Sequence, residues 1–143
     1  MRILDMKFFH FIGIRKRPKA PWRKYYKRNH MNIIVPNENI YEYFKRHAYG
    51  YINNTAIEYF GTKISYKNFL YEIDRCARAY KRIGIKKGDV VSIISANIPE
   101  ALISFYALNK IGAVSNMLHP LLSENEILDN LKKYSTVVVM AID

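Results

Sequence analysis

The 143 residues contain one cysteine, Cys76. That excludes an internal disulfide and any cysteine-based zinc cluster, and it fits a reducing compartment. Six glycines and five prolines are too few for a collagen-like or linker-like chain. Long apolar runs are missing too. The stretch Phe8 to Ile14 falls far short of the roughly 20 residues a spanning helix needs. A secretory signal carries its charge before the apolar stretch and a small-residue cleavage site after it, whereas most of the charge here follows. Neither export nor a transmembrane anchor is expected. The location this implies is cytoplasmic, with peripheral contact at the inner membrane face left open.

What is present is a globular composition: 50% hydrophobic and 24% charged. A chain of this length can bury roughly two-thirds of its unfolded surface. The formal charge of +11 asks for an anionic partner until it is located along the chain. Residues 1–29 hold ten Lys or Arg against one acid, Asp5, whereas residues 30–143 hold thirteen against eleven. The expected organisation is therefore a basic, aromatic N-terminal arm, 1–29, followed by a nearly neutral domain, 30–143. Three readings of the arm stay open. Its aromatics Trp22, Tyr25 and Tyr26 pack on the domain while the charges stay solvated; the Phe-rich stretch and the basic run attach it to anionic lipid; or it binds nucleic acid, which nothing else in the chain supports.

Along the domain the hydrophobic period alternates between strand and helix. Asn37 to His47 reads as a helix capped by Asn37 or Asn39, with Ile40, Tyr43 and Phe44 inward. Ala56–Phe60 and Lys63–Tyr66 read as a hairpin divided by Gly61-Thr62. Phe69, Ile73, Cys76, Tyr80 and Ile83 share one helical face ending at Gly84. Val90–Ile94 suits a strand covered on both faces. Asn97 is expected to cap a helix with Pro99 in its first turn and Ala101, Leu102, Phe105, Leu108 and Ile111 inward, ending at Gly112. Ala113–Met117 is a further strand. Ser123-Glu124-Asn125-Glu126 is a capping box opening a helix with Ile127, Leu128, Leu131 and Tyr134 inward. Thr136–Met140 is a last, buried-type strand. Hairpin, α, β, α, β, α, β implies an α/β fold with a partial parallel sheet and crossover helices. The last strand lies so near Asp143 that the sheet is expected to be one part of a larger one.

Few residues point to chemistry. The turns Ser95–Pro99 and Asn116–Pro120 contain no glycine, so dinucleotide and Walker-type phosphate loops are poor readings. No serine has the glycines of a nucleophile elbow. His10, His30, His47 and His119 lack metal-ligand spacing. His119 follows a strand, where α/β proteins place ligands, but a loop histidine before a proline turn is the preferred reading. Glu124 and Glu126 are accounted for by the cap and the helix dipole, and Cys76 by a place on the buried stripe.

Several segments nevertheless bring one family together. Thr62–Leu70 resembles the "threonine or serine, tyrosine, x, glutamate, leucine" element of AMP-forming acyl-CoA synthetases, with Asn68 in place of the glutamate. Gly84–Val91 resembles their "G-V-x-x-G-D-x-V" turn. Asn97–Glu100 followed by Ala107–Val114 is similar to their helix and "A-x-x-K-x-G-A". His119-Pro120-Leu121 with Ser123–Ile127 is similar to "N-P-x-x-x-x-E-I", with His119 in place of asparagine. Pro21–Tyr26 resembles the aromatic entry of bacterial fatty acyl-CoA ligases. The resemblance runs in order from Pro21 to Asp143. It implies an enzyme class that uses ATP and magnesium to adenylate a carboxylic, here fatty, acid and passes the acyl group to coenzyme A. The family's phosphate loop with its lysine, its ribose acid and its late lysine lie beyond the matched region. No catalytic, cofactor-binding or metal-ligating residue is therefore carried over, no cofactor is expected on this fragment, and the expectation is an inactive N-terminal portion. A non-catalytic interaction or membrane-docking module is the alternative.

Overall fold

The structure, a computed structural model, describes residues 21–25 and 35–141. The chain divides between Val35 and Pro36. Of the first unit, the described part is a 3-10 turn, Pro21–Tyr25, with Trp22 and Tyr25 exposed, and the exposed Val35. The Phe8–Ile14 stretch, His10, Tyr26, His30 and most of the basic run lie outside the described residues.

The second unit opens with α1 (Ile40–Ala48), where the Asn39 side chain accepts the Glu42 amide at 2.8 Å. Its buried stripe is Tyr41, Phe44 and Ala48, not the expected Ile40, Tyr43 and Phe44; Ile40 and Tyr43 face solvent. Apolar residues at 40, 41, 43 and 44 leave two faces equally eligible by period. Long-range bonds made by Tyr41, described below, decide between them.

A 3-10 turn, Tyr49–Tyr51, leads to the hairpin of β1 (Thr55–Tyr59) and β2 (Thr62–Ser65). Tyr59 pairs with Thr62, so the turn is Phe60-Gly61, one residue earlier than expected. Both residues have positive φ, 45° and 80°, the geometry whose twist matches an antiparallel pair.

Helix α2 (Tyr66–Arg82) starts on Ser65, whose hydroxyl accepts the Asn68 amide at 3.2 Å. Asn68 is too short to close the box that a glutamate would complete. The buried face is Phe69, Ile73, Ala77 and Tyr80. Cys76 sits beside this stripe, half-buried, and Ile83 lies past the helix end in solvent.

Three parallel strands form the sheet: β3 (Val90–Ile94), β4 (Val114–Leu118) and β5 (Val138–Ala141), in the order β4-β3-β5. The central strand is the buried one, with Val91, Ser92 and Ile93 wholly covered. Val91 and Ile93 enter the main core, and strand alternation turns Ser92 to the other face. There its hydroxyl meets Thr136 Oγ1 at 2.7 Å and accepts from Asn116 Nδ2 at 3.0 Å. The Val-rich β5, expected to be the most buried strand, is an edge strand with alternating half-buried and exposed residues, Val139 being 44% exposed. Composition reports suitability for burial, whereas topology decides who receives it.

Helix α3 (Pro99–Ile111) follows β3. Ile98, not Asn97, is its N-cap, and no side chain caps it. Pro99 at the first position lacks the amide a cap would satisfy and carries a φ already suited to a helix. Its inner face is Pro99, Ala101, Ser104, Ala107 and Leu108, whereas the expected Leu102 is exposed and Phe105 and Ile111 are half-buried. Small residues take the inner positions because α2 lies closely against them.

Helix α4 (Glu124–Lys133) has the full capping box between Ser123 and Glu126. It buries no residue completely: Ile127 and Leu131 are half-covered, and the expected Leu128 and Tyr134 are exposed. β3 to β4 and β4 to β5 move across the sheet in opposite directions, so right-handed crossovers put α3 and α4 on opposite faces. The α3 face is sealed by α2 and the α4 face is thinly covered.

Gly112 ends α3 at φ 79°, and a β-carbon there would come within 3.0 Å of the Lys87 side chain. Gly112→Ala is expected to cost about 1–2 kcal/mol in urea unfolding. Gly50→Ala, where nothing lies within 4 Å, is expected to cost less than about 0.5 kcal/mol.

Candidate functional site

The densest polar constellation joins the three helices of the sealed face. The Tyr41 amide, in the first turn of α1, donates to Asn109 Oδ1 of α3 at 2.8 Å. Its phenol donates to Asp74 Oδ1 of α2 at 3.1 Å, and Lys110 Nζ reaches the phenol at 3.2 Å and pairs with the same carboxylate. The ammonium also lies 4.9 Å from the Tyr41 ring centroid. Partial burial alone would raise the Asp74 pKa, but the hydrogen bond and charge of Lys110, with the phenol, outweigh it and hold the carboxyl below its ordinary value. Burial alone would lower Lys110, and Asp74 and Tyr41 outweigh that and raise it. Burial comes first for Tyr41 and pushes its phenol up. These contacts clamp α1 onto α2 and α3.

A groove of about 610 Å³ runs between α2 and the first half of α3, walled by Ile64, Cys76, Tyr80, Ile103, Ser104 and Met140. The Tyr80 and Ser104 hydroxyls bond each other at its floor. Desolvation pushes the Cys76 thiol up despite neighbouring Arg75, so the thiolate a nucleophile requires is disfavoured. The wall is chiefly apolar and suits hydrocarbon better than phosphate.

Ligands of open parallel sheets bind beyond the carboxyl ends of the strands. Here those loops are 95–98 and 119–123. His119 is exposed, and its Nδ1 accepts the Leu121 amide at 3.2 Å, which fixes its own proline turn. Glu126 accepts from the Ser123 hydroxyl and amide, which lower its pKa and place its charge on the α4 N-terminus. Glu100 and Glu124 stand in the other first-turn positions, and residues 95–109 and 111–126 contain no Lys or Arg. A triphosphate needs cations and free helix-start amides. The α4 start is already capped and the uncapped α3 start carries Glu100, and with no Lys or Arg in either stretch the described residues do not fit the phosphates of ATP. Among the described residues no three His, Cys, Asp or Glu side chains gather as a metal site. No described helix is long and apolar enough to cross a membrane.

Comparison with known proteins decides the lineage. The family model described as AMP-binding enzyme matches residues 44–143. The chain belongs to the AMP-binding enzyme family. The acetyl-coenzyme A synthetase of Emericella nidulans is 36% identical over 104 residues, 68% of this chain and 16% of that protein. The long-chain-fatty-acid–CoA ligase of Bacillus subtilis is 25% identical over 126 residues, 87% of this chain and 22% of that protein. Among solved structures, coronafacic acid ligase of Pectobacterium brasiliense aligns with a TM-score of 0.70 at 34% identity, covering 73% of this chain and 21% of that one. The NpsA N-terminal subdomain of Klebsiella oxytoca shares the fold, with a TM-score of 0.71 at 24% identity over 74% of this chain and 28% of that one. The chain thus spans about a sixth to a fifth of the length of the curated relatives.

Two of the segments that resemble this family make structural contacts. In Gly84–Val91, Asp89 accepts the Lys86 amide at 2.9 Å, its carbonyl accepts from Val114, and the Gly88 amide reaches the Gly112 carbonyl. In Ala107–Val114, Asn109 and Lys110 anchor α1 and Gly112 turns the chain. The roles of Tyr41, Asp74, Asn109 and Lys110 were missed by sequence reasoning, because their partners lie 33 to 69 positions apart.

Asp74→Asn and Lys110→Met are expected to be non-additive in urea unfolding, with a coupling of about 0.5–1 kcal/mol for this partly exposed pair. Asp74, lowered by folding, adds stability above its unfolded pKa that is lost as pH falls through the folded one; Lys110, raised, adds stability below its unfolded pKa that is lost as pH rises through the folded one. The coupling should therefore be level near neutrality and shrink at both extremes, as a urea series across pH would register.

Proposed function

We propose that residues 30–143 are the opening scaffold of the N-terminal domain of an ATP-dependent, AMP-forming acyl-CoA ligase acting on a fatty acid, that residues 1–29 are an arm preceding it, and that the 143-residue chain does not form an acyl-adenylate by itself. The observation that carries this reading is the use made of the family-like residues. Asp89, Asn109, Lys110 and Gly112 are spent on turns and clamps, and the edge where a ligand would sit presents Glu100, Glu124 and Glu126. Activating a carboxylate with ATP needs cations on the transferring phosphates and an in-line acid. In a full-length enzyme, magnesium, ATP, the fatty acid and coenzyme A would be held by residues outside this region. A reducing, cytoplasmic setting goes with the reading. The fatty-acid assignment draws on the Bacillus subtilis ligase, whose match covers more of the chain than that of the acetyl-coenzyme A synthetase.

The second reading, a non-catalytic module, is favoured by the outer edge of β5, which pairs with no other strand among the described residues, and by the exposed Val139. Pyrophosphate exchange into ATP, measured on folded chain with acetate or palmitate, tests the proposal. It should stay at the no-enzyme background with either acid. Acid-dependent exchange would refute the claim of inactivity.

A further inference from the structure

The three helix-to-strand connections all arrive at the amino edge of the parallel sheet. The pairs Val90↔Val114 and Val91↔Val138 place the three strand starts side by side. The Gly88 amide on the Gly112 carbonyl and the Val137 amide on the Val90 carbonyl, both at 2.9 Å, tie the loops together. This edge carries Lys81, Arg82, Lys86, Lys87, Lys132 and Lys133, all exposed, against Asp89 and, one turn back on α4, Asp129. One Asp89 oxygen is already held by the Lys86 amide. The opposite edge has Glu100, Glu124 and Glu126. A body that is nearly neutral in total is therefore strongly polarised along its strands.

Helix macrodipoles account for basic residues in the last turns of α2 and α4. They do not account for Lys86 and Lys87, which lie in a loop. Nor do they explain the apolar side chains among the charges: Ile83, Tyr134 and Val137 are 63%, 44% and 55% exposed. The Lys87 stem lies along Gly112, in line with a head that reaches outward. Cations interleaved with exposed aliphatic and aromatic side chains are the composition of a surface that rests on anionic lipid. A nucleic-acid surface would need the charges but would gain little from Ile83 and Val137. We propose that the amino edge of the sheet docks on an anionic phospholipid membrane. The Lys and Arg side chains meet headgroup phosphates, and Ile83, Tyr134 and Val137 enter the interface.

The test must separate this edge from residues 1–29. The full 143-residue chain with its ten Lys and Arg of 1–29 changed to Gln is sedimented with vesicles of phosphatidylcholine, alone or with 30% phosphatidylglycerol. Binding to the anionic vesicles alone is expected, weakening as salt rises. In that background Lys86→Gln with Lys87→Gln should weaken binding about tenfold or more. Lys132→Gln with Lys133→Gln is an independent second variant on the same edge with the same expected loss. Ile83→Ser with Tyr134→Ser should weaken binding although no charge changes, and Glu100→Gln with Glu124→Gln should not weaken it. Circular dichroism confirms that each variant is folded. Absence of binding by the arm-neutral chain, or full binding by both folded lysine variants, would overturn the proposal. So would indifference to Ile83→Ser with Tyr134→Ser together with displacement from vesicles by duplex DNA, because that identifies a general polyanion surface.

Discussion

The contact between α2 and α3 over β3 is what the rest of this structure depends on. It is made possible by small residues: Ala101, Ser104 and Ala107 on α3 let α2 come close enough for Phe69, Ile73 and Tyr80 to reach the sheet side of the core. Burying Ile73, Leu108, Val91 and Ile93 contributes roughly 1.5–3 kcal/mol each. Ser104 is buried there only because the Tyr80 hydroxyl satisfies it, and an unpartnered hydroxyl at that depth would oppose the packing. The Tyr41–Asp74–Lys110 cluster and the Asn109 bond then fasten α1 to the pair already formed.

The second sheet face is organised differently. Ser92, Asn116 and Thr136 form a polar seam across the three strand regions, and α4, on that face, has no fully buried residue of its own. Order in the unit therefore grades from a sealed helical side to a thin one, and β5 is the outer strand of the described sheet. The carboxyl edge of the sheet is acidic, with a capping box at the start of α4, and the amino edge is basic and open. The parallel topology gathers helix starts at one edge and helix ends at the other, which accounts for the first-turn acids and the last-turn lysines and arginine but not for Lys86 and Lys87.

Much of this was readable in the sequence wherever a signal was local. The capping box at Ser123, the stop at Gly112, the stripe of α2 and the order of strands and helices depend on residues within a few positions of one another. The family also announced itself in order along the chain. What could not be read depends on partners far away. Tyr41 displaced Ile40 and Tyr43 from the interior because Asp74, Asn109 and Lys110 meet it in space. Leu102 lost an expected inner place to smaller neighbours because α2 needed the room. Val139 was assigned to a covered strand by composition and found itself at an edge because β3, the earlier strand, holds the centre. The clamp was equally hidden: Lys110 enters the sequence reading only as part of Ala107–Val114, and its contacts with Asp74 and Tyr41 lie 36 and 69 positions away.

Amide hydrogen exchange, read segment by segment on the 143-residue chain, most directly tests the claim that stability is concentrated in α2, α3 and β3. The slowest amides should be those of Ile73, Ala77, Val91, Ile93 and Leu108, with α4 and β5 exchanging orders of magnitude faster through local opening. Equal protection of α4, β5 and β3 would contradict the account, since it would mean that the thinly covered face is as firmly held as the sealed one.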